Sequence, residues 1–190
     1  MKKRGEKVEF RASTLSERAD FYKKEFKLEK AKSWIKENLG FMPQIIAIDA
    51  GTDTGIIKDK KWKGSMFNIR FGELMSKIKK YMPEDIYYDR NIYKNPDKFL
   101  KKPSNIPIEN ENVKAQELAF DIDSDNIPCT HPKQQKTCKI CINKAFNYAK
   151  KMKKELDGMF KDVKIVYSGR GFHLHVFDKK AFYLSTKERG

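Results

Sequence analysis

Asp121 and Asp123 lie in the stretch Glu117-Leu118-Ala119-Phe120-Asp121-Ile122-Asp123, in which apolar residues alternate with residues of other character. Alternation with a period of two is the pattern of a half-buried β-strand. Leu118, Phe120 and Ile122 are then expected to face a core, while Ala119, Asp121 and Asp123 share the opposite face. Two strand rises separate the carboxylates by roughly 7 Å. Like charges held that close repel, and a divalent cation relieves the repulsion. Hard carboxylate oxygens suit Mg²⁺ or Mn²⁺, with substrate phosphates and water completing the shell. Such a pair fits phosphoryl or nucleotidyl transfer, in which bound metal ions stabilise the attacking and leaving oxygens. A solvated strand end has the same spelling, so the pair needs company before it means catalysis.

Company comes some fifty residues later. Val163 to Tyr167 and Phe172 to Phe177 read as two strands joined by Ser168-Gly169-Arg170-Gly171, a glycine-containing hairpin turn. Phe172, Leu174 and Val176 are expected inside, with His173 and His175 on the other face. Ser168 offers a hydroxyl and Arg170 a bidentate fork for phosphate. Gly169 and Gly171 permit close backbone approach, and His173 supplies a further donor. Between the two clusters stand Cys129, His131, Cys138 and Cys141, spaced C-x-H, six residues, C-x₂-C. Every cysteine of the chain falls here, and four such ligands in two close pairs are what a closed, structural tetrahedral Zn²⁺ site uses. With no open position, that zinc is expected to be structural or nucleic-acid-positioning.

The elements that must position these groups are legible in turn. Val8-Glu9-Phe10 has the form of a short strand. Thr14-Leu15-Ser16-Glu17 is a capping box that opens a helix. Phe21, Tyr22, Phe26 and Leu28, then Trp34, Ile35 and Leu39, give an apolar side before Gly40 stops the pattern. Gln44 to Asp49 reads as a buried strand. Asp49 fits a turn or cap in its Asp-x-Gly setting better than a catalytic role. A loop spans residues 50–64, a strand Met66 to Phe71, a helix Glu73 to Tyr81 ending at Met82-Pro83, and a strand Ile86 to Tyr88. Residues 91–114, with Pro96, Pro103 and Pro107, read as a long surface connection. A helix then carries Ile142, Ala145, Phe146, Ala149, Met152 and Leu156 at helical spacing, with lysines elsewhere.

The whole chain, 190 residues with 41 Lys+Arg against 26 Asp+Glu, has a net charge of +15, which favours a polyanionic partner, nucleic acid first. From Cys129 to Lys164 there are ten lysines and three acidic residues. No apolar run approaches the roughly 18 residues of a spanning helix, and Met1 to Glu6 lacks the apolar core of a signal peptide. A cytoplasmic protein without membrane attachment is expected.

In three places, in order, the chain resembles the small, catalytic subunit of the archaeal and eukaryotic type of DNA primase. Glu117 to Asp123 resembles that family's strand with its D-x-D. Cys129 to Cys141 is similar to the archaeal zinc knuckle, and Ser168 to His173 resembles the S-G-R-G-aromatic-H signature. Weaker likeness runs back through Pro83 to Pro96, so that coverage is residues 66–180. The resemblance implies an α/β (mixed α+β) primase-type catalytic core over residues 1–190, with a central mixed sheet flanked by helices and a zinc-knuckle insertion at residues 129–141. It implies de novo primer synthesis on a single-stranded DNA template from NTP or dNTP. Asp121 and Asp123 would hold Mg²⁺ or Mn²⁺, Ser168, Arg170 and His173 would hold the triphosphate, and the primase large subunit would be the partner. A third metal-binding aspartate is implied from a later region. Asp178 lies too soon after the signature strand to be it, and the expectation is the N-terminal part of a longer protein. A repair or plasmid primase-polymerase shares the same site, and a non-catalytic zinc-containing nucleic-acid-binding module is the competing class.

Overall fold

A computed structural model describes residues 13–51, 66–100, 110–128 and 138–189. The strand expected at residues 8–10, most of the loop at 50–64, and Cys129 and His131 lie outside the described residues. The chain divides into two units, one formed by residues 13–117 with 182–189, the other by residues 118–181.

The first unit begins with helix α1 (Leu15–Lys24). The Thr14 amide donates to the Glu17 carboxylate at 2.8 Å, and the Glu17 amide donates back to the Thr14 hydroxyl at 3.3 Å. That reciprocal pair satisfies two amides which a helix start otherwise leaves open. Helix α2 (Leu28–Leu39) ends on Gly40 at φ 73, a conformation that costs glycine little. Strand β1 (Ile45–Asp49) is flanked by β2 (Met66–Arg70) and β3 (Asp85–Tyr88), both antiparallel to it. Helix α3 (Leu74–Tyr81) carries the chain from β2 to β3. Ile46, Ile48, Ile69, Leu74 and Ile78 form the core, with Tyr22, Phe26 and Leu28 packed against it.

Two buried polar groups hold the edges of this unit. Arg18 is 4% exposed. Its guanidinium donates to the carbonyls of Met82 at 3.0 Å and Ser13 at 2.8 Å, covering one acceptor at the end of α3 and one just before α1. Glu117, fully buried, accepts the Tyr88 hydroxyl at 2.8 Å. Burial and then the Glu117 charge push the Tyr88 phenol well above its ordinary pKa.

The described parts of residues 91–114 are not the surface connection their prolines suggest, while residues 101–109 lie outside the described residues. Strand β4 (Asn91–Tyr93) pairs with β5 (Val113–Gln116), and helix α4 (Pro96–Leu100) lies between them. Strand β4 is only three residues long, too short to show a hydrophobic period, and side-chain hydrogen bonds anchor it. The Tyr93 hydroxyl and the Asn91 side-chain amide both donate to Asp89, at 2.6 and 2.9 Å, and the Tyr93 amide donates to the Gln44 side chain at 2.8 Å. Residues 182–189 return to this unit, where the Arg189 guanidinium donates to the carbonyls of Gln116, Leu184 and Phe182.

The second unit contains β6 (Leu118–Asp123), helix α5 (Lys139–Leu156), β7 (Val163–Tyr167) and β8 (Gly171–Val176). Its sheet order is β6-β8-β7, with β8 antiparallel to both neighbours. Both units therefore repeat one device: outer strands joined through a helix, with an antiparallel strand between them. In the first unit that central strand comes before the crossover, in the second after it. The expected single central mixed sheet is corrected accordingly. Among the described residues there are three sheets, and all five strand pairings are antiparallel. The reason is connectivity. A parallel neighbour needs a long crossover, whereas β7 and β8 are joined directly by a tight turn, and β8 then fills the place between β6 and β7. Mixed α/β architecture itself holds. No helix among the described residues is long and apolar enough to cross a membrane.

Candidate functional site

Strand β8 brings the two sequence clusters together. In the β6–β8 register Asp121 stands opposite His173 and Asp123 opposite Gly171. Helix α5 packs on β6, β7 and β8, and the Phe146–Phe172 ring contact identifies the face it covers. Alternation along β8 then puts His173 on the other face, the face of the two aspartates. His173 Nε2 lies 3.3 Å from Asp121 Oδ1, with the side chains 31% and 63% exposed. Acid and imidazole thus meet directly at a surface open to solvent.

Gly171 sets the distance at Asp123. A Cβ there would sit 2.3 Å from the Ile122 carbonyl oxygen and 2.8 Å from the Asp123 Cα, closer than packed atoms tolerate. It would also come 3.0 Å from Asp123 Oδ1. The absent side chain therefore lets the β6 backbone and its carboxylate press against the start of β8. The preceding turn is held by hydrogen bonds along its backbone. The Ser168 amide donates to the Gly171 carbonyl at 3.0 Å, and the Gly171 amide donates to the Ser168 hydroxyl at 3.1 Å. The Ser124 amide donates to the Arg170 carbonyl at 3.2 Å. Gly169 has φ 95, a value that favours glycine. Ser168 is thus part of the turn's own framework as well as a candidate ligand, and Arg170 projects from an exposed turn tied to the residue after Asp123.

Of the expected zinc ligands, Cys138 stands immediately before α5 and Cys141 in its first turn, 2% exposed. Cys138 is the N-cap residue, with extended backbone, so the two cysteines flank the start of the helix. Cys129 and His131 lie outside the described residues. Among the described residues no group of three or more His, Cys, Asp or Glu side chains is arranged to hold a metal ion.

Asp49 has the turn role its setting suggests, since its carboxylate accepts the Gly51 amide at 3.0 Å. Asp178 is engaged as an acceptor of the Lys161 and Lys180 amides at 3.0 and 3.2 Å. The Lys161 hydrogen bond chiefly holds its carboxyl below the usual carboxylate range. His175, on the face of His173, is 7% exposed and stacks on Phe177 at 5.6 Å. The role of Gly171 as a spacer for Asp123 is not legible in the sequence, where it closes a turn; the structure makes it the first residue of β8, a position at which glycine marks close backbone approach.

Comparison with known proteins bears on the same residues. The family profile described as DNA primase small subunit matches residues 120–190, a span that includes Asp121, Asp123 and the hairpin. An uncharacterized DNA primase small subunit-like protein of Archaeoglobus fulgidus is 32% identical, over 94% of this chain and 70% of that protein. The DNA primase small subunit PriS of Pyrococcus abyssi is 32% identical, over 94% of this chain and 48% of that protein. PriS of Pyrococcus furiosus is 30% identical over 94% and 47%. This chain belongs to the DNA primase small-subunit family. It spans about half the length of the PriS relatives it matches.

Proposed function

We propose that the chain is the primase catalytic domain, a nucleotidyltransferase that makes short primers de novo on single-stranded DNA from NTP or dNTP. The observation that carries this reading is the strand register, Asp121 opposite His173 and Asp123 opposite Gly171. It sets an acidic pair beside a turn rich in phosphate-binding groups. Asp121 and Asp123 would hold Mg²⁺ or Mn²⁺, and the donor set fits. Two carboxylates share one strand face, one of them largely exposed, and magnesium sites of this kind take one or two carboxylates and leave the rest to phosphates and water. A cation bound there supplies charge neutralisation for the attacking and leaving oxygens.

The chain's own groups do the rest. Arg170 offers two parallel donors to phosphate oxygens, and the backbone at Gly169, with nothing within 4 Å of where a Cβ would stand, lets phosphate come close. His173, against Asp121, adds a donor at the boundary between carboxylates and triphosphate. Positioning and electrostatic stabilisation carry most of the rate in such transfers. Cys129, His131, Cys138 and Cys141 form the proposed structural zinc site, supported by the helix-start placement of the last two. The proposal extends to the primase large subunit as partner and to an intracellular place at the replication apparatus.

The deciding experiment exchanges Asp121 and Asp123 for Ala and measures primer synthesis and template binding side by side. Loss of synthesis with binding retained is expected, and undiminished synthesis would overturn the proposal. For zinc, elemental analysis of purified protein should give about one Zn per chain. Cys138→Ser and Cys141→Ser should remove it, and a metal-free wild-type preparation that keeps its fold contradicts the site.

A further inference from the structure

Helix α5 buries Ile142, Ala145, Ala149 and Leu156, but Phe146, expected in the same stripe, is 40% exposed. It belongs to a chain of rings. Phe146 meets Phe172 at 5.0 Å between centroids, and Phe172 meets Tyr167 at 5.3 Å. Tyr167 is 49% exposed, and its hydroxyl donates to the Gly169 carbonyl at 2.6 Å, which ties the ring across the signature turn. At the far end the Lys150 ammonium sits over Phe146, 4.8 Å from its centroid. Lys139 and Lys150 stand seven before and four after Phe146 in sequence, on the same flank of the helix. Single exposed apolar residues are ordinary, whereas a contiguous aromatic surface edged by cations asks for a ligand.

The geometry points to a base-stacking platform for single-stranded DNA, made by Tyr167, Phe172 and Phe146 and bordered by Lys139 and Lys150. Charge selects this occupant. Helix α5 carries six lysines against one glutamate in a chain of net charge +15, and proteins that hold single strands without reading sequence pair such a cationic border with aromatic faces. Exposed bases provide rings to stack, which a paired duplex does not. Phe172 and His173 are neighbours on β8 that point to opposite faces, so the platform lies across the sheet from the aspartates, with the open turn at Gly169 between. The inference rests on the reading above for the choice of DNA, but its test does not require synthesis.

Fluorescence anisotropy of the full 190-residue chain with labelled oligo(dT) of about 16 nucleotides, without nucleotide, reads the platform directly. Phe146→Ala and Tyr167→Ala should each weaken binding about 5- to 150-fold, while Tyr167→Phe keeps the wild-type affinity. The aromatic variants should leave the slope of log K against log salt unchanged, and Lys150→Ala should make it shallower by about 0.7. Should the Ala variants unfold, Phe146→Trp replaces them, with quenching of its added fluorescence by oligo(dT) expected. Unchanged affinity in a folded Phe146→Ala/Tyr167→Ala chain, or no quenching in Phe146→Trp, overturns the inference and leaves the face to a protein partner. A wild-type chain that makes no primers but loses oligo(dT) binding on these exchanges refutes the primase reading and supports the platform. Normal synthesis with unaltered binding does the reverse.

Discussion

At the scale of single residues, the site depends on an atom that is missing. Gly171 has no Cβ to press on the Ile122 carbonyl and the Asp123 backbone, and its conformation is otherwise ordinary. Gly171→Ala should therefore cost about 1–3 kcal/mol of stability through overpacking, measured by urea unfolding. Primer synthesis should fall further than stability explains, because Asp123 shifts with the strand. A Gly171→Ala chain as stable as wild type would show that the two strands can separate freely. Glu117 is the second such residue. It is fully buried and accepts the Tyr88 hydroxyl, so Tyr88→Phe should destabilise by about 1.5–3 kcal/mol, the range for a hydrogen bond to a charged acceptor. Neither role stands out in the sequence, where Gly171 is one glycine of a turn and Glu117 the polar opening of a strand.

At the scale of elements, the first unit packs its helices and short strands around tyrosines that must stay neutral. Burial, then the charge of Asp85, pushes the Tyr22 phenol up to about 12 from 10.0. Tyr93 is raised by burial and by its bond to Asp89, and Tyr88 by burial and Glu117. A group whose pKa rises on folding gives stability that is complete below its unfolded value and is lost as pH climbs through the folded one. The unit should therefore unfold cooperatively between pH 10 and about 12 for the Tyr22 contribution, with phenolate absorbance and circular dichroism changing together. Tyr22→Phe should flatten that dependence. Phenols titrating well ahead of unfolding would contradict it. Elements with strong local signals were legible: the Thr14 capping box, the stop at Gly40 and the hairpin at Gly169 all stand where their residues predict. Strands β4 and β5 were not legible. They are three and four residues long, too short to show a period, and β4 is anchored by hydrogen bonds of Tyr93 to Asp89 and Gln44, which leave no local pattern to find.

At the scale of the whole molecule, charge dominates. Binding of single-stranded DNA, the proposed template, by a chain of net charge +15 would be driven largely by counterion release. If about five phosphates are neutralised, the slope of log K against log salt is roughly −3 to −4. Affinity should then fall about 50- to 250-fold between 50 and 200 mM salt, as titrations at several salt concentrations would show. A salt-independent affinity would mean that the lysines take no part.

The sequence by itself determined the chemistry on offer, because residue type and short-range spacing fix which groups can ligate a cation or grip a phosphate. It also determined which strand face each group occupies, since alternation is a local property of the backbone. What only the tertiary structure decided is that Asp121 lies against His173 and Asp123 against Gly171. That register joins residues some fifty positions apart, and it follows from β8 filling the space between β6 and β7, a matter of topology that no local pattern records. The same holds for Phe146. Helical spacing assigns it to the apolar stripe, but in the fold it meets Phe172 at the start of β8 and its ring stays 40% exposed.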